Sequence, residues 1–395
     1  MTDSPLRILT LANVPPDPNS GAAGTVYHTN VALRELGHEV DELWAHDLGR
    51  RRISHGNLHS LLEQPRLYRD AVLKAVSNKS YDVVQMSQPQ AWLAARDLKS
   101  RQFQGLVMNR SHGLELRVDR VLPEWHRRMG IPESKFPRSL FTPALRHFLQ
   151  RQWWKAVQFS DGVIVTCEMD RDFLIDKIPA ATAKTFVVHH GVAAEFVERP
   201  PRSLTPDRLS RLLYVGQHSF IKGYHILVQV LNRVLRENEQ LTCTWVTADA
   251  GHGEIRSLIE PTLQNRLHLE NWRPNSELID LYDQHGQFVF PSFFEGAGKA
   301  SLEALSRQMY VVASDTGAMH EYITANNAGA LCPVGDVEAF AGAILRALSE
   351  PQEAIEAAVR GREIAAAKSW RTCAERLVEV YRTLQRPLKQ TGTTS

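Results

Sequence analysis

Along the chain, short apolar runs alternate with stretches whose apolar positions recur at helical spacing, as in parallel sheets joined by crossover helices. In the first half the runs predict strands at Arg7–Ala12, Glu39–Trp44, Tyr81–Met86, Gly105–Asn109, Gly162–Thr166 and Thr185–Val188. Helices are predicted near Ala22–Leu36, Leu67–Ser77, Gln90–Leu98, Pro143–Phe159 and Asp170–Ile175. Glu198–Ser210 is polar and carries Pro200, Pro201 and Pro206, so it reads as a linker, 198–210. A second series of strands is predicted at Arg211–Val215, Thr242–Thr247, Leu267–Leu269, Gln287–Phe290, Tyr310–Ala313 and Ala330–Cys332. A last helix, Thr372–Leu384, follows Trp370, and the tail Lys389–Ser395 is polar.

Bulk properties narrow the picture. A chain of 395 residues exceeds what one core supports, so two domains are expected. Hydrophobic residues at 43% and charged residues at 23% suit a soluble enzyme, and a net charge of +2 gives no reason to expect nucleic acid. No apolar run is long enough to span a bilayer, and the polar start Met1–Pro5 does not resemble a signal peptide. Cys167, Cys243, Cys332 and Cys373 stand far apart without C-x-x-C spacing, so a reduced cytoplasmic protein without structural zinc is expected.

The most informative text runs from Phe290 to Glu321. The strand Gln287–Phe290 enters a turn holding Glu295, Gly296, Ala297 and Gly298, after which a helix carries Lys299 and Glu303. Glycines where a strand meets a helix let backbone N–H groups approach an anion, and the helix N-terminus adds partial positive charge. A diphosphate suits that corner. Glu303, further along the helix, can accept hydrogen bonds from a ribose diol, and Glu295 faces a second hydroxyl-bearing group. The chemistry implied is a sugar nucleotide.

Glu295 and Glu303 lie eight positions apart. That arrangement resembles the retaining glycosyltransferases of the GT-B type, and family 4 in particular, whose usual text is E-G-F-G-L-P-x-L-E-A. Here Ala297 replaces the aromatic residue and Lys299-Ala300 replace Leu-Pro. The order of motifs resembles family 4 over most of the chain. The resemblance implies an α/β fold of two doubly wound Rossmann-like domains facing a central cleft: 1–197 on the acceptor side and 211–369 binding the nucleotide sugar. It also implies that the last helix crosses back, so that 370–388 packs on the N-terminal domain.

Further matches follow strand ends. After Arg7–Ala12, Gly21 and Gly24 fill the place of the family's Gly-rich pair near the donor phosphates, although they are not adjacent. Leu33–Val40 resembles L-x-x-x-G-H-E-V and reads as structural, a helix stopped by Gly37, which leaves His38 outside the chemistry. His112, before Gly113, matches the family's histidine beside the donor sugar, where a neutral imidazole bonds a sugar hydroxyl. Tyr214–Gly223 stands where the family reads V-G-R-x-x-x-x-K-G. Lys222 matches and would neutralise the leaving phosphate. Gln217 replaces the customary arginine; His218, Lys299 or an arginine from elsewhere compensates, with Lys299 at the phosphate turn favoured, or else the donor differs or the activity is weak. In Glu270–Leu278, Ser276 is expected to cap the next helix and Trp272 or Arg273 to stack on the base or pack. Asp315–Glu321 resembles D-x-G-G-x-x-E and is expected to pack beside the donor site.

Asp170-Arg171-Asp172 has the spacing of a metal-binding D-x-D, but it opens a helix, where acidic residues favour the macrodipole. No other cluster has metal-ligand spacing, so no metal and no cofactor is expected beyond the donor substrate. Between 117 and 155 basic side chains, among them Arg117, Arg146 and Lys135, outnumber acidic ones and alternate with Trp125, Phe136, Phe141, Phe148, Trp153 and Trp154. This stretch is either a packed helical insert or a face for anionic lipid at the inner membrane surface or an anionic acceptor. The reading is a glycosyltransferase using a UDP- or GDP-sugar and a glycan, lipid-linked or small-molecule acceptor, in cell-surface polysaccharide or glycoconjugate synthesis. A nucleotide-sugar epimerase and a non-catalytic sugar-nucleotide-binding protein remain the alternatives.

Overall fold

The computed structural model describes residues 4–134, 136, 138–324 and 327–391, the last six of them by backbone alone. Lys135, residues 1–3 of the polar start and residues 392–395 of the tail lie outside the described residues. The chain divides into two compact units: one runs to Gly191 and resumes at Trp370, and the other is Val192–Ser369.

The first unit carries β1 (Arg7–Leu11), β2 (Glu39–Leu43), β3 (Val83–Ser87), β4 (Leu106–Arg110), β5 (Gly162–Val165) and β6 (Thr185–Val187). All pair in parallel, in the order β2-β1-β3-β4-β5-β6. β3 and β4 are buried at every position, as a sheet covered on both faces requires. Ile8, Leu33, Met108 and Ile164 pack with Leu377 and Tyr381 of the closing helix Trp370–Thr391 on one face. Leu9, Tyr68, Val84 and Leu98 fill the other.

The second unit carries β7 (Arg211–Val215), β8 (Thr242–Val246), β9 (Leu267–Glu270), β10 (Gln287–Phe290), β11 (Tyr310–Ser314) and β12 (Gly329–Cys332). Their order is β12-β11-β10-β7-β8-β9. The winding direction reverses between β7 and β10, which pair directly. Loops leaving such a switch point diverge and open a crevice beyond the strand ends, where ligands bind in doubly wound sheets.

The predicted strands lie within two residues of those observed, and the differences are elsewhere. Glu198–Ser210 is no free linker. Leu204, Arg208 and Leu209 are buried, and the Arg208 guanidinium donates to the carbonyls of Arg202, Ser203, Tyr282 and His285. Such a fan of charge-assisted bonds offsets the desolvation of the cation. Ser276 does not cap the helix Asn275–Gln284, which begins one residue before it, after Pro274. A long helix, Glu115–Met129, stands where no helix was predicted; Pro123 interrupts its pattern, and Gly130 ends it with φ +66. The basic stretch is also not one face. Arg117 turns inward to Asp170, with Nε 2.6 Å from Oδ1, and Trp153 is buried. Asp170 is thereby a structural anchor that also accepts from the Leu114 amide, while Asp172 pairs with Arg171.

Candidate functional site

In the second unit the two loops at the switch point meet. The loop after β7 turns at Gly223, whose φ is +67 and whose position abuts the Pro291 carbonyl so closely that no Cβ fits. The Phe293 amide donates to the Ile221 carbonyl at 2.9 Å, and the rings of Phe220 and Phe293 pack at 5.0 Å. This seam sets Lys222 against the turn after β10. Its Nζ lies 2.6 Å from Glu295 Oε1, which also accepts from Ser292 Oγ at 2.9 Å. Glu295 is 6% exposed, so its charge is held by the lysine and the serine rather than by water.

Beyond Glu295 the chain passes Gly296 and Ala297 to Gly298, which begins the helix Lys299–Ser306 with φ +63. Among the described residues the amides of Gly296, Ala297, Gly298, Lys299 and Ala300 donate to no backbone carbonyl. A run of free N–H groups at a helix start is an anion cradle. The backbone of Glu295 and Gly296 is held from behind by Gly317, where a Cβ would collide with both carbonyls, and by the Ala318 amide donating to Gly296 O at 2.8 Å.

Glu303, one turn into that helix, is buried, which pushes its carboxyl above the usual range against the opposing pull of Lys299. The Tyr282 hydroxyl donates to Oε2 at 3.1 Å, and Lys299 Nζ stands 3.7 Å from Oε1. The sequence-predicted residues therefore fall into two cation–carboxylate pairs flanking one amide turn, Lys222–Glu295 and Lys299–Glu303. Gln217 is exposed, and Tyr214 donates to its carbonyl at 3.3 Å. His218 is engaged elsewhere, with Nε2 3.1 Å from Glu254 Oε2. Trp272 is exposed beside the Arg273–Glu270 ion pair.

In the first unit, Gly24 is sterically required, because a Cβ there would lie 2.6 Å from the Pro18 carbonyl oxygen. Gly21 opens the helix Ala22–Glu35 and has open space where a Cβ would go. His112 follows β4, with Nε2 3.1 Å from Ser87 Oγ at the end of β3 and Nδ1 sealed without a hydrogen-bond partner. Burial, reinforced by the Arg110 guanidinium, lowers its pKa to about 3, so the ring is neutral at physiological pH. His38 accepts from the Leu6 amide at 3.1 Å and is structural, as its place in the sequence implies.

The residues the sequence did not single out are the partners Ser87, Ser292 and Tyr282. Ser292 precedes Glu295 by three positions, a local signal that could have been used. Ser87 and Tyr282 meet their partners only through the sheet and helix packing. Among the described residues no three of His, Cys, Asp and Glu stand together as a metal would use them, and no helix is long and apolar enough to cross a membrane.

Comparison with known proteins agrees with this geometry. The family described as glycosyl transferases group 1 matches residues 210–350, within the second unit. The O-antigen chain mannosyltransferase B of Escherichia coli is 33% identical over 312 residues, which cover 75% of this chain and 77% of that protein. Glycogen synthase of Mycobacterium tuberculosis is 27% identical over 247 residues, 59% of this chain. The match spans 57% of the glycogen synthase's own length. The sucrose-phosphate synthase structure from Thermosynechococcus elongatus superposes with a TM-score of 0.74 at 20% identity, covering 96% of this chain and 99% of the other. The fold is GT-B, with two doubly wound α/β domains.

Proposed function

Because the chain belongs to the glycosyl transferases group 1, we propose that it is a retaining, metal-independent glycosyltransferase of the family 4 kind, working in the cytoplasm. It moves a sugar from a nucleotide diphosphate sugar to a glycan, lipid-linked or small-molecule acceptor. The name of the E. coli relative supports cell-surface polysaccharide synthesis as the setting.

The observation that carries the proposal is the Lys222–Glu295–Ser292 cluster beside a turn of free amides at the switch point. The amides from Gly296 to Ala300 take the diphosphate, and Lys222 supplies positive charge as the leaving phosphate departs. Lys299 adds the charge that Gln217 does not, and Glu303 accepts from the ribose hydroxyls. Glu295, fixed by Ser292, accepts from a hydroxyl of the sugar. His112 of the first unit, neutral and with Nδ1 unused, is suited to hydrogen-bond a hydroxyl. In the transfer, the bond from the anomeric carbon to the phosphate oxygen breaks and a bond to the acceptor oxygen forms on the same face. The acceptor proton passes to the departing phosphate. Stabilising charge that develops only in that transition state is what raises the rate.

The test is product analysis with isotopically labelled UDP-, GDP- and ADP-sugars, with and without excess EDTA. Transfer with retained anomeric configuration that persists in EDTA is the expected result. An isomerised donor, or a donor bound and returned unchanged with every acceptor class, would overturn the reading. A requirement restored only by added metal would remove the metal-independent part.

A further inference from the structure

We propose that the helix Thr142–Phe159, with the turn Arg138–Phe141 leading into it, is a docking surface for an anionic lipid bilayer. Five of the nine large hydrophobic side chains that are exposed among the described residues lie in 136–154, with Phe136 at 80%, Leu140 at 67% and Phe141 at 64%. Phe148 and Trp154 continue the patch along the helix. Exposed apolar groups scattered singly need no explanation, but a contiguous set in a soluble domain marks a surface that something covers.

The charge around this patch selects what covers it. From Ser134 to Ser160 the sequence contains no acidic residue. The helix buries Gln152, Trp153, Ala156 and Val157 and presents His147, Phe148, Arg151, Trp154 and Lys155 outward. Cations thus interleave with aromatic side chains on one face, the layout of a helix lying in the plane of a membrane interface. Arg138 and Arg151 have no carboxylate partner among the described residues, in contrast to Arg146, which pairs with Glu133 and Asp119. Lys155 rests over the Trp92 ring with Nζ 4.0 Å from its centroid, so it too is not neutralised by an acid. Lipid phosphates supply the missing anions while the aromatic tips enter the acyl boundary. A second copy of the chain fits poorly, because it would bring an equally positive, acid-free face against this one. The proposal stands apart from the glycosyl-transfer reading, since its test reads binding to lipid and not turnover.

The full chain is sedimented with vesicles of phosphatidylcholine alone and with vesicles of phosphatidylcholine and phosphatidylglycerol in equal parts. Partition is expected to be at least about tenfold stronger on the mixed vesicles and to fall in high salt. Arg138→Glu with Arg151→Glu should reduce it by about tenfold or more. Phe141→Ser with Phe148→Ser should weaken it while circular dichroism stays unchanged, since both side chains are exposed. No partition, equal partition on the two vesicle types, or partition that neither double variant weakens would overturn the proposal. Self-association in velocity sedimentation that Phe141→Ser with Phe148→Ser removes, without vesicle binding, would make the face a contact between copies and overturn it equally.

Discussion

Lys222 and Glu295 leave the second sheet on the two loops that flank its switch point, and the lysine Nζ meets the glutamate Oε1 at 2.6 Å. Each therefore sets the other's position, and an incoming diphosphate would enter a site whose cation is already oriented. The ammonium also lies 5.6 Å from the centroid of the Phe290 ring, which limits its freedom to swing away.

Lys222→Ala should lower the rate of transfer by about a hundredfold or more, the scale of losing one preorganised group that stabilises developing charge. It should also weaken diphosphate binding. Gln217→Arg is expected to keep or raise diphosphate affinity, because it adds a charged donor at an exposed position of the same loop. Calorimetric titration of UDP and GDP into each variant, beside turnover measurements, checks both. Wild-type binding and turnover in Lys222→Ala would remove this loop from the diphosphate site.

The two glycines before and within the first helix should separate cleanly. Gly21→Ala should leave stability nearly unchanged, since nothing stands within 4 Å of the added Cβ. Gly24→Ala forces a Cβ against the Pro18 carbonyl at 2.6 Å and should cost about 1–3 kcal/mol in urea unfolding. The sequence alone treats the pair as equivalent, because a glycine kept for close approach and one kept for no steric reason read alike.

Arg307 is fully buried, with Nη2 2.7 Å from Asp283 Oδ2 and further bonds to the carbonyls of Phe196, Arg199 and Pro200. Arg307→Met should destabilise the second unit by about 3–5 kcal/mol, because Asp283 is left as a buried charge and three carbonyls lose their donor. Arg307→Met with Asp283→Asn should recover part of that loss. An effect of Asp283→Asn that is the same in the wild type and in Arg307→Met would show that the pair is not coupled.

Stability should also fall toward alkaline pH through Glu115. Its Oε2 is sealed without a partner, and burial, with Asp170 and Asp119 nearby, raises its pKa from 4.5 to about 8. A carboxyl whose pKa is higher when folded favours folding most below 4.5, and that contribution is lost as pH rises through about 8. Asp119, raised to about 6, acts in the same direction over a lower window. Glu115→Gln should flatten the decline of the unfolding free energy over this range, by an amount on the order of 2 kcal/mol, read from urea unfolding at several pH values. An unchanged slope in the variant would show that Glu115 is ionised in the folded protein at neutral pH.

What could be read from the chain follows from the range of the interactions involved. β7 and β10 match their predicted bounds because a buried parallel strand is a local apolar run. Glu295, Gly298 and Glu303 were legible because turn and helix are continuous in sequence. Tyr282, which donates to Glu303 from 21 positions away, leaves no such trace. Arg208 looked like a linker residue because polarity and prolines suggest exposure, whereas five carbonyl contacts draw it inside. The helix after His112 was obscured by Pro123, and the inward turn of Arg117 depends on Asp170, which the sequence presents only as half of a D-x-D.

The side-chain-free contacts at Gly223, Gly298 and Gly317 have a practical meaning for anyone wishing to change the donor this protein accepts. Gly223 and Gly317 let main chain of two loops press together at this turn, and at Gly298 the Met319 side chain fills the place of a Cβ, so the turn behaves as a casting fixed from several sides. A mutational library that samples these positions would spend most of its members on misfolded protein. Variety belongs instead at Gln217 and Lys299, where side chains can be exchanged above an unaltered backbone. Selection among such variants would then act on donor choice and much less on whether the turn exists.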